Sequence, residues 1–295
     1  MSIWPKISIV TPSFNQGNFI EDTIQSVLSQ NYPNLEYIVM DGGSSDATLR
    51  ILKKYEKKLT WKSEKDRGQT DAINKGMRLA SGEIRAYLNS DDVYEKGTLK
   101  KVAEFFLAYP STHFLYGRGR LIDADGKHIG FYNDSQATTE TLHGGCVISQ
   151  PTTFWSEKTW KQVGEFDESY NYTMDYEYWV RVSKHFEMVY LPDVLASSRI
   201  HPDAKTSSQT QKLYRDAVRV QKKYYPFVHH DWIFTYSDGT VHALKHGTFF
   251  EKIQYWLVLF SLSVILQLSW NRRAPTKAMW KQYHLWMKEI KNEFL

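Results

Sequence analysis

The sequence predicts an α/β protein whose mainly parallel sheet carries helices on both faces and gains antiparallel strands later in the chain. Over residues 6–109, short apolar or β-branched runs alternate with longer stretches whose apolar residues recur at helical spacing. Such alternation implies right-handed crossovers between parallel strands. Between residues 114 and 148 the pattern changes to short runs separated by turn residues, which predicts antiparallel additions to the sheet.

The elements follow in order along the chain. The predicted strands of the first part are Lys6–Thr11, Leu35–Asp41, Leu59–Glu64 and Ile84–Leu88, and the predicted helices are Phe19–Gln30, Asp46–Lys58, Gln69–Ala80 and Lys96–Tyr109. Later helices are predicted at Glu157–Val163, Tyr176–His185 and Gln209–Tyr224, with two late strands in "EMVYLP" and "LASSRI". We therefore expect one domain at residues 1–225, with halves at 1–110 and 111–225, and a helical region at 226–295.

The composition argues against several classes of protein. The chain has 295 residues, 42% of them hydrophobic, and its single cysteine, Cys146, excludes an internal disulfide and a cysteine-rich metal site. The residues from Arg272 onward include six Lys or Arg and two acids, and they account for the whole net charge of +4. The rest of the chain is therefore neutral. A neutral body argues against nucleic acid as a partner. No basic and apolar leader opens the sequence, which predicts a cytoplasmic protein.

The C-terminal region has a different pattern. Residues Ile253–Trp270 are nearly all apolar, and the helix predicted after Pro275 carries aromatic residues on one face and Lys on the flanking face. This pattern predicts association with an anionic membrane surface, peripheral at the inner face of the cell membrane. The alternative is a helical hairpin packed on its own domain or on a second copy of the chain.

Polar residues follow each of the first four predicted strands, in "TPSFNQGN", "MDGGSSDAT", "SEKDRGQTDA" and "LNSDD". The carboxyl ends of parallel strands form the ligand crevice of open α/β sheets. No G-x-G-x-x-G follows the first strand and no P-loop is present, so a nucleotide would be held by carboxylates and amides. Asp41 could accept hydrogen bonds from a base or ribose, and Asp91 could bind a hard divalent cation bridging two phosphates.

The stretch "ISIVTPSFNQGNFIEDTIQSVLSQNYPNLEYIVMDGGSSDAT", followed by "SGEIRAYLNSDD", resembles the family 2 glycosyltransferases with the GT-A fold, a Rossmann-like architecture. The resemblance runs from about Lys6 to about His201. It implies transfer of a sugar from a nucleotide diphosphate donor, usually with inversion at the anomeric carbon, and it favours a UDP-sugar. It also implies Mn²⁺ or Mg²⁺ as the cofactor.

The resemblance assigns roles residue by residue. Thr11, Ser13 and Asn15 match the loop that lines the nucleotide, and Asp41 matches the acid that reads the base. Asp66, Gln69 and Asp71 match positions that face the base, ribose or diphosphate. Asn89, Ser90 and Asp91 occupy the place of the D-x-D motif, with Asn89 where an Asp is common and Asp91 at the usual metal contact. Asp92 either assists or caps the next helix.

Three further positions concern the chemistry. Asp175 matches the catalytic base, although Met174 replaces the first acid of the usual pair, and His201 matches a histidine that approaches the metal or diphosphate. Gln150 is expected on the acceptor side. The chain lacks the Q-x-x-R-W pattern of processive members, which suggests a single transfer to a glycan or lipid-linked acceptor. Two other functions remain open: a sugar-nucleotide pyrophosphorylase and a non-catalytic, membrane-tethered module that binds nucleotide sugars.

Overall fold

The computed structural model describes residues 4–202, 204, 209–242 and 249–294. Their contacts form two compact units. The first contains the described residues of 4–142 and 146–204, and the second contains residues 143–145 and those from 209 onward. The boundary between the units therefore lies before the helix at 210–224, whereas the boundary expected from the sequence lies after it. Each unit is described by itself.

The first unit is a mixed α/β structure, as predicted. Its strands are β1 (Ile7–Ser13), β2 (Leu35–Asp41), β3 (Thr60–Ser63), β4 (Ile84–Tyr87), β5 (Val93–Tyr94), β6 (Phe114–Ile122), β7 (His128–Phe131), β8 (Thr153–Ser156) and β9 (Met188–Arg199). Its helices are α1 (Ile20–Leu28), α2 (Thr48–Lys54), α3 (Gln69–Leu79), α4 (Thr98–Ala108), α5 (Thr139–Gly144), α6 (Glu157–Val163) and α7 (Met174–Ser183). The last two residues of α5 belong to the second unit.

The sheet has the order β3-β2-β1-β4-β8-β6-β9-β5, with β7 paired to β6. The first four strands are mutually parallel, and β8 joins β4 to β6 through antiparallel pairs. The chain runs outward from β1 through β2 to β3 and then returns to the other side of β1 as β4. This reversal creates a topological switch point, where open α/β sheets bind their ligands. The predicted fold class is confirmed.

Burial explains the central strand and its first helix. Every residue of β1 is buried, as expected for a strand covered on both faces. Helix α1 buries Ile20, Ile24 and Val27, which recur at helical spacing, and its first turn carries Glu21 and Asp22, whose charges suit the positive end of the helix dipole. These side chains join the main core beneath the sheet.

One late strand replaces the two that the sequence predicted. β9 runs unbroken from Met188 to Arg199, parallel to β6. Its register against β6 is irregular at one point. Gly117 pairs with Leu191, but the next residue, Arg118, pairs with Val194. The irregularity lies at Pro192, which has no N–H to donate to a neighbouring strand. A bulge therefore absorbs the proline that looked like a strand end in the sequence.

The second unit is helical over its described residues beyond the 143–145 segment, with α8 (Thr210–Tyr224), α9 (His230–Val241), α10 (Phe249–Asn271) and α11 (Lys277–Phe294). Within α10, residues Ile253–Asn271 are long and apolar enough to cross a membrane by length and composition alone, and 22% of the scored stretch is buried. Phe234 of α9 packs with Met279 and Tyr283 of α11 in one small apolar cluster.

Candidate active site

The ends of three parallel strands lie side by side at the switch point. The register pairs Ser13 with Asp41 and Asp41 with Ser63, so the last residues of β1, β2 and β3 form one row. Next to this row, the backbone N–H of Leu88 donates to the carbonyl of Val10, which extends the edge toward the turn after β4. The polar strand ends that the sequence singled out therefore do converge.

Asp41 is almost fully buried at this edge. Its Oδ2 atom accepts from the backbone N–H of Gly43 at 3.1 Å, from that of Ser44 at 2.9 Å and from the hydroxyl of Ser63 at 2.6 Å. These donors replace lost water and fix the orientation of the carboxylate. Asp41 consequently holds the loop after β2.

The three predicted residues of the first loop have different surroundings. Ser13 is buried, and its Oγ atom has no hydrogen-bond partner in the described part of the chain. Asn15 adopts a φ of 52° and links two loops, since its N–H donates to Ser44 and its side chain accepts from the N–H of Ser45. The hydroxyl of Thr11 lies 3.1 Å from that of Tyr37 in the core.

The loop before α3 brings Asp66 against Gly42. One oxygen of Asp66 accepts from the N–H of Gly68 at 2.8 Å, and a Cβ built on Gly42 would lie 2.6 Å from the other oxygen. Only glycine allows this close approach. Asp66 and Asp41 therefore flank the same short loop.

Asp71 has protein partners for its charge. Its carboxylate is buried and lies 3.1 Å from both Arg67 and Lys75, and it also accepts from the backbone N–H of Arg67. Burial alone would raise the pKa of Asp71, but these partners outweigh it, and the pKa is lowered. The arrangement fixes the start of α3, directly beside Gln69.

A chain of side-chain amides connects three predicted residues. Gln69 donates to Asn89 at 2.7 Å, and Asn89 donates to Gln150 at 3.0 Å and to Asp92 at 3.3 Å. Gln150 in turn donates to the carbonyl of Tyr87 at 2.9 Å. An aspartate at position 89 could not donate to either acceptor. The departure from the D-x-D pattern is therefore explained by the need for a donor.

Asp91 and His201 meet across the site. The Nε2 atom of His201 lies 3.1 Å from Oδ2 of Asp91, while Nδ1 is buried with no hydrogen-bond partner among the described residues. The ring of His201 packs on Phe19, with centroids 4.6 Å apart. Ser90, between Asn89 and Asp91, is buried in the same turn. The two predicted metal ligands are thus brought together.

Arg199 is a site residue that the sequence reasoning missed. It is buried, and its backbone N–H donates to Asp92 at 3.0 Å while its Nε donates to the carbonyl of Asp91 at 3.0 Å. Its other nitrogens reach the carbonyl of Ala124 and the carboxylate of Asp22. Arg199 therefore fixes the turn that carries both acids. Its position two residues before His201 is the only sequence signal for this role.

Two adjacent acids have different environments in this turn. Burial, and then the charge of Asp91, raise the pKa of Asp92 well above its usual range. Asp91 retains side-chain exposure of 21% and faces His201. Asp92 is instead enclosed by Asn89 and Arg199. The structure therefore places Asp92 behind the site and Asp91 at its surface.

Asp175 opens α7 and is partly exposed. Burial raises its pKa, although the N–H of Tyr176 donates to it at 2.8 Å. Burial is the main cause of the raised pKa of Tyr87, and the negative charges of Asp175 and, to a smaller extent, Asp92 raise it further. The hydroxyl of Tyr87, at the end of β4, therefore lies within electrostatic reach of both acids.

Asp134 is a second titratable group near Asp175 that the sequence did not reveal. Burial raises the pKa of Asp134 to about 6, while the N–H of Gly119 donates to it at 2.8 Å. Burial is the main cause that raises the pKa of Cys146 to about 12. The negative charge of Asp175 contributes next, and that of Asp134 contributes less. Asp134 and Asp175 are thus both electrostatic neighbours of Cys146.

Comparisons with known proteins agree with this geometry. The sequence model described as Glycosyl transferase family 2 matches residues 8–142, which include β1 through β4 and the Asn89–Asp91 motif. Over these residues, slightly under half of its length, the chain is similar to glycosyl transferase family 2. An uncharacterized glycosyltransferase of Rickettsia typhi is 29% identical over 217 residues, covering 69% of this chain and 66% of that relative, slightly under two thirds of its length.

Two solved structures share the fold. S. aureus TarS residues 1–349, in complex with UDP-GlcNAc, superimposes with a TM-score of 0.62 at 18% identity, covering 87% of this chain and 80% of that one. The mannosyltransferase PcManGT from Pyrobaculum calidifontis, in complex with GDP-Man and Mn²⁺, gives a TM-score of 0.57 at 16% identity, covering 97% and 81%. At this identity the likeness shows the fold alone, and it identifies the fold as that of GT-A enzymes.

Proposed function

We propose that this protein transfers one sugar from a nucleotide diphosphate donor, preferably a UDP-sugar, to a hydroxyl group of a glycan or lipid-linked acceptor, with inversion at the anomeric carbon. The observation that carries the proposal is the pair of Asp91 and His201 at the edge where Asp41 and Ser13 also end their strands. Similarity to the family and the sugar-nucleotide complexes of the two structural neighbours support it.

The donor set at Asp91 and His201 fits Mn²⁺ or Mg²⁺. Ligands at adjacent corners of an octahedron with bonds of about 2.1 Å lie roughly 3.0 Å apart. The 3.1 Å between Nε2 of His201 and Oδ2 of Asp91 matches this spacing. When bound, the ion would offset charge on the departing diphosphate. Two protein ligands suffice because phosphate oxygens and water supply the others.

The nucleotide would lie along the row formed by β1, β2 and β3. The unpartnered hydroxyl of Ser13 and the carboxylates of Asp41 and Asp66 offer acceptors for the N–H and O–H groups of a base and ribose. Gln69 and Asn89 hold each other at the inner end of this row. We assign Thr11, Asn15 and Asp71 to positioning, since their polar atoms contact the protein.

Asp175 is proposed as the base that takes the proton of the attacking hydroxyl. A positioned carboxylate contributes about 10²–10⁴-fold to such a reaction. Burial raises the pKa of Asp175, which makes its carboxylate a better proton acceptor. Gln150 would line the acceptor side, and Asp92, behind the site, would support Gln150 through Asn89.

We propose that the second unit binds the anionic inner face of the cell membrane through α10. The helix buries Tyr255, Leu259, Ser263 and Gln267, so two polar residues face inward. Their polar groups have partners, since Ser263 donates to the carbonyl of Leu259, and Gln267 accepts from Asn271 and donates to the carbonyl of Ala274. Leu257, Ile265 and Leu268 are instead exposed, at 63%, 59% and 49%.

Positive charge near α10 favours a lipid surface as the partner that covers this apolar face. Arg272, Arg273, Lys277 and Lys281 are exposed directly after it, and Trp280 is 53% exposed among them. Cations beside an apolar and aromatic face suit anionic headgroups. The alternative is that two copies of the chain pair through the same helices.

A sugar-nucleotide pyrophosphorylase is less consistent with the first loop. Residues 11–18, "TPSFNQGN", contain no Lys or Arg to meet a triphosphate. A binding module without catalysis would be supported by Asn89 and Met174, both departures from the family pattern. The positioning role of Asn89 in the amide chain removes part of that support.

The direct test compares the wild-type chain with Asp175→Asn. Release of UDP or GDP from sugar-nucleotide donors, with Mn²⁺ and with a panel of glycan and lipid-linked acceptors, reports activity. Binding of UDP with Mn²⁺, measured by calorimetry, reports an intact donor site. We expect turnover in the wild type, and loss of turnover with retained UDP binding in the variant. UDP binding without turnover of any donor in the wild type would favour the binding module.

A further inference from the structure

A second group of metal-ligand side chains lies at the start of α9, in the second unit. His229, His230 and Asp231 each offer a ligand atom, and these atoms all lie within 4.8 Å of one another. Nδ1 of His229 is 3.4 Å from Oδ2 of Asp231, and Nε2 of His230 is 3.5 Å from Oδ1 of Asp231. The family resemblance and the proposed transfer reaction involve none of these residues.

The spacing suits a tetrahedral ion. Ligand atoms bound at about 2.0–2.1 Å in a tetrahedron lie roughly 3.3–3.4 Å apart. Each histidine nitrogen lies close to that distance from a different oxygen of Asp231, so a small rotation of the carboxylate would present one oxygen to the ion. Two imidazoles with one carboxylate favour Zn²⁺ over Mg²⁺ or Mn²⁺, which prefer oxygen ligands.

A third imidazole lies beside the group, although it is distant in sequence. The ring of His143 is centred 5.1 Å from that of His229, and Nε2 of His143 lies 2.9 Å from the carbonyl oxygen of Phe227. A carbonyl only accepts, so Nε2 carries the proton and Nδ1 of the neutral ring is left with a free lone pair. A metal-binding histidine commonly donates its other N–H to a backbone carbonyl in this way.

The neighbouring backbone also approaches closely. A Cβ on Gly144 would meet Cε1 of His229 at 3.6 Å and Oδ2 of Asp231 at 3.8 Å. Burial lowers the pKa values of His143 and His230 from their usual range. His229 accepts from the N–H of Asp231 at 3.3 Å, a long bond that an ion could replace at small cost.

We propose that His229, His230 and Asp231 bind Zn²⁺, and that the ring of His143, which lies outside the 4.8 Å group, turns toward them as the fourth ligand. The ion would be structural, because four protein ligands leave no open position. It would cross-link the 143–145 segment to the start of α9 within the second unit. Closing so long a loop of chain in the folded state stabilises the unit against unfolding.

The test measures zinc in full-length protein that carries His201→Gln, so that the proposed donor site does not contribute. After EDTA treatment and removal of chelator, the protein is titrated with Zn²⁺ alone against a competing chromophoric chelator. We expect one equivalent of zinc per chain. Adding His229→Asn and His230→Gln should lower the affinity by more than about 100-fold. Asn is a good helix N-cap, so α9 keeps its start.

The matched control replaces the exposed His185 of the first unit by Gln in the same background and should leave zinc binding unchanged. Thermal unfolding gives a second readout, since zinc should raise the melting temperature of the background protein but not of the variant. Equal zinc binding with and without His229 and His230, or no zinc binding in the background, would overturn the proposal. Neither outcome depends on sugar transfer.

Discussion

His201 and Asp91 lie 110 residues apart in the sequence, and their Nε2 and Oδ2 atoms are separated by 3.1 Å. Strand β9 produces this meeting, because Arg199 at its end donates to the carbonyl of Asp91 and its N–H donates to Asp92. The turn after β4 and the end of β9 are therefore fixed as one structure. The proposed ion would add to a geometry that the protein already maintains.

Substitution of either member of this pair should weaken metal binding. Loss of an outer-shell partner costs about 10–100-fold in metal affinity, so loss of a ligand should cost at least as much. We expect Asp91→Asn and His201→Gln to raise the Mn²⁺ concentration needed for half-maximal UDP binding by that factor. Calorimetry with UDP at several Mn²⁺ concentrations measures it. An unchanged Mn²⁺ requirement in both variants would remove the pair from the site.

Asp175→Asn should reduce kcat by about 10²–10⁴-fold, with little change in the KM for the donor. In the wild type, kcat should fall as the pH drops through the raised pKa of Asp175, because the protonated acid cannot accept a proton. The variant should lack this acidic limb. Profiles of kcat against pH for both proteins provide the measurement, and an identical limb in the variant would assign it to another group.

The same substitution should change stability in a pH-dependent way. The pKa of Asp175 is raised in the folded state, so folding takes up protons, and stability from this group is full below the unfolded pKa and lost as pH rises through the folded pKa. Asparagine carries no such cost. We expect Asp175→Asn to unfold at a higher temperature than wild type at pH 7, with the difference vanishing in acid. A variant less stable at pH 7 would contradict this.

Arg199→Met should disturb the site through the fold. The substitution keeps much of the apolar stem but removes the donors to Asp91, Ala124 and Asp22. Hydrogen bonds from a charged group are worth about 1.5–3 kcal/mol each, so we expect destabilisation of at least about 2 kcal/mol in urea unfolding. The exposed Arg50 is the control, and Arg50→Ala should change stability by less than about 0.5 kcal/mol. Equal effects would contradict the assignment.

Gly42→Ala should displace Asp66, because the new Cβ would lie 2.6 Å from its Oδ2 atom. Overpacking of this kind costs about 1–3 kcal/mol, and we expect UDP affinity to fall by about tenfold or more. Gly145→Ala is the control, since no atom lies within 4 Å of its Cβ position. Calorimetry with UDP separates the two, and normal UDP binding by Gly42→Ala would exclude Asp66 from the base site.

Neutralising the cations after α10 should release the protein from anionic lipid. Each Lys or Arg near such a surface contributes about 1 kcal/mol. We expect Arg272, Arg273, Lys277 and Lys281, all changed to Gln, to abolish co-sedimentation with phosphatidylserine vesicles at low salt. Lys53, Lys57 and Lys58, exposed in the first unit, provide a control set. A soluble dimer that ignores vesicles would instead favour pairing of two copies.

The sequence predicted the parallel half of the fold because each of its elements has a strong local pattern. The strands β1, β2 and β4 are short runs rich in apolar residues between turn residues, and α1 has a clear apolar face. Strand β5, with two residues, is too short to carry a periodic pattern. The proline at position 192 looked like a strand end because the bulge that accommodates it depends on the partner strand.

The candidate site was predictable where it follows a motif and not where it depends on long-range contacts. Asp91 and His201 were identified from the family resemblance, and they do meet. The role of Asn89 as a donor to Gln150 and Asp92 could not be read from the sequence, because it requires two distant segments to converge. Arg199 escaped notice for the same reason.

The most direct test of the central claim is the electron paramagnetic resonance of Mn²⁺ bound with UDP to protein carrying His229→Asn and His230→Gln. We predict coupling of the manganese to ³¹P of the diphosphate and to ¹⁴N of one imidazole, with the nitrogen coupling lost on His201→Gln. Manganese that shows no phosphorus coupling, or a nitrogen coupling that survives loss of His201, would contradict the account.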